Sequence, residues 1–222
     1  MDKVTLAKHL DLANHHQDAT LEMIERLCGE VFTFGFNSAF VNPCFVASAK
    51  KFLGGQAKVG TVVSFPLGQE TQEIKIAAAL RAIVDGADEL DVSLNVGYLK
   101  TGQHEESLAE MKAIVSQVKE EKKEVLVKFI IETGLLSDGE IKKASELVVV
   151  SGADFIKTCS GFGPRGATLR DVELIREAVG EKIQIKVAGG IDTYEEAMAF
   201  LEKGANRIGT SQAVKIIQEI PR

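Results

Sequence analysis

Three lysines of this chain stand in strand-like segments where an amine could take part in covalent chemistry. Lys157 lies in DFIKT, Lys186 in KIQIKVAG and Lys128 in EVLVKFIIE. A neutral lysine amine attacks an aldehyde or ketone and forms a Schiff base, which then withdraws electrons from the neighbouring carbon. The pattern therefore indicates nucleophilic catalysis on a carbonyl compound.

Such a lysine must lose its proton before it can react. The ordinary lysine pKa of about 10.4 keeps the amine charged at neutral pH. A second ammonium about 6 Å away, at an effective dielectric constant near 20, would disfavour that charge by about 2.8 kcal/mol, or roughly two pKa units. Lys157 and Lys186 would lie on adjacent strands, so we expect Lys186 to favour the neutral amine on Lys157.

The alternation of side chains along the strands predicts where these groups point. In segments 89–95, 124–132 and 182–188, one parity is uniformly apolar and should pack against helices. The opposite parity, together with the lysine of DFIKT, places five ionisable side chains inside the sheet: Asp91, Lys128, Glu132, Lys157 and Lys186. A buried structural ion-pair network is the alternative, but so many charges in one interior are costly and favour a functional site.

Asp91 has two possible roles in such a site. As a carboxylate working with a water molecule, it could move the proton that leaves the carbon next to the Schiff base. It could equally be an ion-pair partner of Lys128 or Lys186 and take no part in proton transfer. Lys128 and Glu132 are predicted to support the reacting groups.

These residues lie in a chain that alternates short β-rich runs with longer helical patterns, as βα units do. Strands are predicted at 8–14, 38–43, 58–66, 89–95, 124–132, 154–158, 182–189 and 206–211, the first of them on a weak signal. Helices are predicted at 20–34, 44–53, 69–85, 104–122, 138–151, 169–179, 194–203 and 211–219.

A local repeat supports this alternation. GAD at 86–88, GAD at 152–154 and GAN at 204–206 each follow a helical pattern and precede a strand. Glycine suits the left-handed backbone that ends a helix. Because no linker-like segment interrupts the chain, we predict an α/β fold, a single (β/α)8 TIM barrel over residues 1–222 with a short N-terminal segment. An open sheet is the alternative.

Composition limits the partners and the compartment. The 222 residues carry a formal net charge of −6, which does not favour nucleic acid or an anionic membrane as a partner. No apolar run approaches the roughly 20 residues of a membrane span. Three cysteines follow no metal or disulfide spacing, so a reducing cytoplasm is expected.

Neither a metal nor a cofactor is expected, whereas a phosphate site is. His9, His15, His16 and His104 do not form a ligand cluster, and we interpret them as surface or loop residues. AGGID (188–192) and IGTS (208–211) follow the seventh and eighth strands. Loops at these places in a barrel frequently bind phosphate through backbone N–H groups.

Several of these segments resemble the deoxyribose-phosphate aldolase family. DFIKTCSGF (154–162) is similar to its Schiff-base strand, IKVAGGI (185–191) to its second-lysine strand, and GADELDVSLNVGYLK (86–100) to its aspartate segment. VVSFPLG, KFIIETGLL and RIGTS match in order as well, so the resemblance covers nearly the whole chain.

The resemblance implies reversible cleavage of 2-deoxy-D-ribose 5-phosphate into acetaldehyde and D-glyceraldehyde 3-phosphate, without metal or cofactor. It implies Lys157 as the Schiff-base residue, Lys186 as its cationic neighbour and Asp91 in proton transfer. It also implies that Asp11 is retained as a supporting residue and that a homodimer is possible. The positions that would surround the phosphate are Gly161, Gly189, Gly190, Gly209 and Ser211.

The chain departs from the family pattern around the first strand and near Lys157. The usual DHTLLKPDAT stands here as DLANHHQDAT (11–20), with Ala13 and His16 in place of Thr and Lys. Phe40 replaces a common Cys, and Cys159 shares the parity of Lys157, which predicts a thiol near the bound aldehyde. We expect these changes to lie around the aldehyde-binding mouth and to affect the acceptor. The alternatives are a related Schiff-base aldolase with another acceptor and a non-catalytic sugar-phosphate binder.

Overall fold

The computed structural model describes residues 1–221 and contains eight parallel strands in a closed barrel. Each strand pairs with the next along the chain, and β1 pairs with β8 to close the ring. The strands are β1 Leu10–Asn14, β2 Ser38–Val41, β3 Lys58–Val63, β4 Glu89–Ser93, β5 Leu126–Ile130, β6 Phe155–Lys157, β7 Gln184–Ala188 and β8 Arg207–Thr210. The predicted (β/α)8 barrel and all eight predicted strands are confirmed.

Helices follow the strands as predicted, with some additions. The α-helices are α1 Lys3–Ala7, α2 Leu21–Phe34, α3 Val46–Leu53, α4 Gln72–Val84, α5 Val96–Lys100, α6 His104–Glu121, α7 Asp138–Ser151, α8 Leu169–Val179, α9 Tyr194–Glu202 and α10 Ala213–Gln218. The short helices α1 and α5 were not predicted, nor were the 3-10 turns Pro43–Phe45 and Thr133–Leu135. One or two turns carry too little periodicity to be recognised. None of the helices within residues 1–221 is long and apolar enough to cross a membrane.

Two predicted strands end earlier than their apolar patterns suggested. Ser64 and Glu132 have positive φ angles of 54° and 53°, a left-handed backbone that no strand adopts. β3 therefore stops at Val63 and β5 at Ile130. The alternation of inward and outward side chains was predicted to continue to Glu132, but it ends with β5.

The repeated GAD and GAN segments serve a common structural purpose. Their glycines adopt positive φ angles of 106°, 83° and 100°, as predicted. The residue two places further on accepts the backbone N–H of the second residue of a neighbouring strand: Asp88 from Val59 at 3.0 Å, Asp154 from Val127 at 2.8 Å and Asn206 from Ile185 at 2.8 Å. Each also binds a basic side chain from the preceding helix layer: Lys50, Lys119 and Arg176. The repeat thus ties three βα units together at the amino ends of the strands.

The two faces of the barrel strands differ in polarity. Outward residues such as Leu90, Val127 and Ile185 are fully buried in the apolar layer between strands and helices. The inward parity instead holds buried charged side chains, including Asp91, Lys128, Lys157 and Lys186. Inward orientation is therefore confirmed for these four residues.

Two glycines make room for large side chains inside the barrel. A Cβ at Gly60 would lie 2.2 Å from Cζ of Phe40, and a Cβ at Gly209 would lie 2.8 Å from Cε of Lys186. The Phe40 ring in turn lies 3.3 Å, measured to its centroid, from the Lys186 Nζ. Contacts run from Gly60 in β3 to Phe40 in β2, and from Lys186 in β7 to Gly209 in β8. They therefore depend on the absence of a side chain at each of the two glycines.

Gly60→Ala should destabilise the fold, because its new methyl group meets an enclosed ring that has no room to move. We expect the free energy of unfolding to fall by about 1–3 kcal/mol in urea denaturation. Gly29→Ala is the matched control, since nothing lies within 4 Å of its Cβ position in α2. That substitution should stabilise the protein by about 0.5–1 kcal/mol. Equal effects of the two substitutions would contradict the packing described.

Candidate active site

The Asp91 carboxylate lies at the centre of the barrel and binds three lysines. Its Oδ1 accepts a hydrogen bond from Lys128 at 3.0 Å. Its Oδ2 accepts from Lys157 and from Lys186, each at 2.9 Å. Strand pairing explains the arrangement, because Lys128 lies opposite Asp91 in register and Lys157 opposite Lys186. The structure thus brings together all three residues predicted to be catalytic.

The protonation state of Asp91 follows from these contacts. Burial alone would raise the pKa of the Asp91 carboxyl, but the three ammonium groups outweigh burial and hold that pKa well below its usual range. Asp91 is therefore an anion at neutral pH. Because Lys157 and Lys186 share one oxygen, their Nζ atoms are no more than about 6 Å apart. The Nζ atoms of Lys157 and Lys186 therefore lie as close together as predicted.

Lys186 is buried beneath an aromatic ring. It is 1% exposed, and the face of the Phe40 ring covers its ammonium. Burial lowers the pKa of Lys186 to about 8, although Asp11 and Asp91 act in the opposite direction. The positive charges of Lys128 and Lys157 add to the lowering. Lys186 therefore loses its charge within a pH range in which an ordinary lysine keeps it.

A second layer of charges lies beside this cluster, and sequence reasoning found it only in part. Asp11 accepts hydrogen bonds from Ser38 and from Arg207, and its Oδ2 lies 3.0 Å from the Lys186 Nζ. Glu89 pairs with Lys128 at 2.6 Å and with Arg207 at 2.9 Å. Asp11 and Lys128 thus lie in direct contact with residues that they were predicted to support. Arg207 was missed, although it shares the strand parity of Gly209.

Lys157 opens into a cavity of about 240 Å³ at the carboxyl ends of the strands. The cavity also contains every position predicted to surround a phosphate: Gly161, Gly189, Gly190, Gly209 and Ser211. Gly189 and Gly190 have positive φ angles of 95° and 75°, which suits a turn that presents backbone N–H groups to an anion. The amine and the glycine-rich loops therefore face one shared space.

Glu132 does not join the charged cluster, contrary to the prediction that it points into the barrel with Lys128. Its positive φ lies beyond the end of β5 and turns the side chain out of the strand pattern. Its Oε2 accepts the backbone N–H of Ser160 at 3.1 Å, which fixes the loop after β6. Glu132 therefore supports the site by holding a loop, without an ion pair to a lysine in residues 1–221.

Two of the departures from the family pattern lie elsewhere than expected. Cys159 is fully buried, and its Sγ lies 3.1 Å from the Thr133 Oγ1 in the barrel wall. Burial raises the pKa of the Cys159 thiol, and this residue is not among those that line the cavity with Lys157, so the predicted place of the thiol beside the aldehyde gains no support. Phe40 lies against Lys128 and Lys186, so it belongs to the lysine cluster rather than to the mouth.

The two histidines after β1 lie in a loop, as interpreted, but they also line the cavity. His16 is exposed, but together with Ala13 and His15 it lines the cavity that holds Lys157. His15 is a half-buried loop residue, and its ring packs 5.2 Å from that of Phe65 inside the mouth. Within residues 1–221, no three His, Cys, Asp or Glu side chains lie in positions to hold a metal ion.

Comparison with known proteins places this geometry in a family. The family model described as DeoC/LacD family aldolase matches residues 1–218. The deoxyribose-phosphate aldolase of Caldanaerobacter subterraneus subsp. tengcongensis is 45% identical over 97% of this chain and 94% of its own length. That of Thermococcus kodakarensis is 44% identical over 100% of this chain and 99% of its own.

Solved structures agree with the sequence comparison. An aldolase designated QR15 superposes with a TM-score of 0.91 at 36% identity, covering 97% of this chain and 96% of that one. A putative deoxyribose-phosphate aldolase from Coccidioides immitis gives a TM-score of 0.92 at 31% identity, over 99% and 87% of the two chains. With a family model that matches nearly its full length, this chain belongs to the DeoC/LacD family of aldolases.

Proposed function

We propose that this protein reversibly cleaves 2-deoxy-D-ribose 5-phosphate into acetaldehyde and D-glyceraldehyde 3-phosphate through a Schiff base on Lys157. The observation that carries the proposal is the shared cavity, where the Lys157 side chain meets the glycine-rich loops after β7 and β8. An amine at one end and an anion site at the other suit a phosphorylated aldehyde. Family membership and the names of the relatives support the same reaction.

The chemistry begins with attack of the neutral Lys157 amine on the C1 carbonyl of the open-chain sugar. Loss of water gives an iminium ion, which draws electrons from the C2–C3 bond when a base removes the C3 hydroxyl proton. That bond breaks, D-glyceraldehyde 3-phosphate leaves, and an enamine remains on Lys157. Protonation of the enamine at C2 and hydrolysis of the iminium release acetaldehyde and the free amine.

The role of Asp91 in these reaction steps changes with the charge on its lysine partners. In the free enzyme the three ammonium groups make Asp91 a weak base, because its pKa lies well below the usual range. Once Lys157 is neutral or bound as an enamine, one of these cations is gone. The basicity of Asp91 therefore rises as C2–C3 cleavage converts the cationic iminium into the neutral enamine, which is the step in which the C3 hydroxyl proton must be accepted. Both roles considered for Asp91, ion-pair partner and proton carrier, are thus parts of one cycle.

The phosphate is assigned to the loops that contain Gly161, Gly189, Gly190, Gly209 and Ser211. Binding energy from this remote group helps to hold the reacting carbon against Lys157. Gly209 has a second reason to be glycine, since it makes room for the Lys186 side chain. Lys157 and Lys186 also supply positive charge at the inner end of the cavity.

A second candidate is a related Schiff-base aldolase that uses a different aldehyde acceptor. The observation that favours it is the position of Ala13, His15 and His16, which depart from the family pattern and line the cavity. Such changes bear on which aldehyde is accepted and leave Lys157 and Asp91 untouched. A non-catalytic sugar-phosphate binder is less well supported, because the three lysines retain their contacts with one carboxylate.

The remaining proposals concern the state of the protein in the cell. We propose that residues 1–222 act as a single domain in the cytoplasm, without a cofactor, on small-molecule substrates. The three cysteines are free, in keeping with a reducing compartment. A homodimer remains a prediction, and a related deoxyribose-phosphate aldolase from Aeropyrum pernix is described as a tetramer.

Reductive trapping tests the proposed function. Borohydride added with acetaldehyde should attach one reduced two-carbon unit to the peptide that contains Lys157, as read by mass spectrometry. Lys157→Met should remove the label and also the release of acetaldehyde from 2-deoxy-D-ribose 5-phosphate. Label confined to Lys128 or Lys186 would overturn the assignment, and no label at all would favour the binder.

Asp91→Asn tests whether the carboxylate holds the lysine cluster together. Removing one partner of a buried ion pair leaves uncompensated charge, so the free energy of unfolding should fall by about 3–5 kcal/mol. Asp85→Asn is the matched control, because it breaks an exposed pair with Arg81 and should cost at most about 1 kcal/mol. Lost activity with unchanged stability in Asp91→Asn would assign the residue to proton transfer alone.

A further inference from the structure

His15 has a polar ring in the mouth of the barrel that neither the charged cluster nor the phosphate loops explain. It is the first residue after β1, and it lines the cavity together with Lys157. Its ring lies 5.2 Å from that of Phe65 and 6.4 Å from that of Phe40. Among residues 1–221, its enclosed Nδ1 has no hydrogen-bond partner. Nε2 is therefore the ring nitrogen that a bound molecule can reach.

The charge state of His15 limits what that molecule can offer. Burial and the neighbouring Lys157 lower the pKa of His15 to about 3, with Lys186 adding to the effect and Asp91 opposing it. The ring is therefore neutral at working pH and forms no ion pair with a phosphate. A neutral imidazole either donates or accepts at Nε2, depending on its tautomer. A hydroxyl group satisfies both cases, because it donates and accepts.

The place of His15 in the barrel sets it between the two ends of the substrate. β1 pairs with β8 so that Leu12 lies opposite Thr210, which puts His15 and Ser211 at the same end of adjacent strands. Lys157 reaches the cavity from β6. Because Lys157, His15 and Ser211 line one cavity, a sugar phosphate that extended from Lys157 to the loop at Ser211 would pass the part of the cavity that His15 lines.

We propose that His15 determines acceptor specificity by hydrogen-bonding, through Nε2, the hydroxyl next to the acceptor's aldehyde carbon, which becomes the C4 hydroxyl of the sugar. This inference rests on the proposed function and names a contact within it. The C3 oxygen exchanges a proton during the reaction and needs a stronger base than a ring held neutral. The C4 hydroxyl does not react, so a neutral, fixed partner suits it. Leu stands at this position in the family's usual segment and cannot make such a bond.

The test compares two acceptors in the synthetic direction, with acetaldehyde as the donor. D-Glyceraldehyde 3-phosphate carries the hydroxyl, and 3-oxopropyl phosphate lacks it. The wild-type protein should prefer the first in kcat/KM, and His15→Leu should reduce that preference about 10- to 100-fold. His15→Gln should restore part of it, because an amide also donates and accepts. His104→Leu, the same substitution at the start of α6 outside the cavity, should leave the preference unchanged.

The ratio of kcat/KM for the two acceptors separates loss of hydroxyl recognition from general damage to the fold. A misfolded or loosened variant loses activity with both acceptors equally, whereas a lost hydroxyl contact lowers kcat/KM for one of them. An unchanged ratio in an active His15→Leu variant, or an equal loss with both acceptors, would overturn the contact. Wild-type protein that joins acetaldehyde to neither acceptor would instead overturn the proposed function and this inference with it.

Discussion

The interior of this barrel is organised by the contacts of the Asp91 carboxylate with its lysine neighbours. The carboxylate accepts hydrogen bonds from three lysines that would otherwise repel one another in an enclosed space. Coulomb repulsion between two such cations about 6 Å apart amounts to about 2.8 kcal/mol at an effective dielectric constant near 20. The shared Asp91 carboxylate offsets this repulsion while the lysines stay close together. The same contact therefore stabilises the fold and keeps Lys157 beside a second positive charge.

The rest of the interior maintains this balance. Four cationic side chains face three carboxylates: Lys128, Lys157, Lys186 and Arg207 against Asp11, Glu89 and Asp91. The interior of the barrel therefore carries one more positive than negative side chain. The Phe40 ring excludes water from one side of Lys186, and glycines next to both residues give them room. Packing and electrostatics are therefore coupled, because moving the ring would rehydrate the ammonium.

Strand parity carried most of what the sequence could predict. Alternation along β4, β5 and β7 was enough to place Asp91, Lys128 and Lys186 inside, because one face of each segment is wholly apolar. It failed at Glu132, where a left-handed backbone ends the alternation without any glycine or proline to mark it. His15 was missed for a different reason. Its place in the mouth depends on aromatic rings contributed by β2 and by the loop after β3, and such long-range contacts leave no local pattern.

We expect Lys186 to favour the neutral form of Lys157 by its charge, and the pH dependence of kcat/KM in Lys186→Met tests this electrostatic role. The apparent pKa of the free enzyme should rise by about one to two units, and activity near pH 7 should fall about 10- to 100-fold. The pKa of Lys186 is about 8, so its charge fades above that pH in the wild-type protein. The activity deficit of Lys186→Met relative to the wild-type protein should therefore shrink as the pH rises through the variant's new, higher pKa. A deficit that stays equally large from pH 7 to pH 10 would contradict this electrostatic role and would assign Lys186 to direct proton transfer or substrate contact.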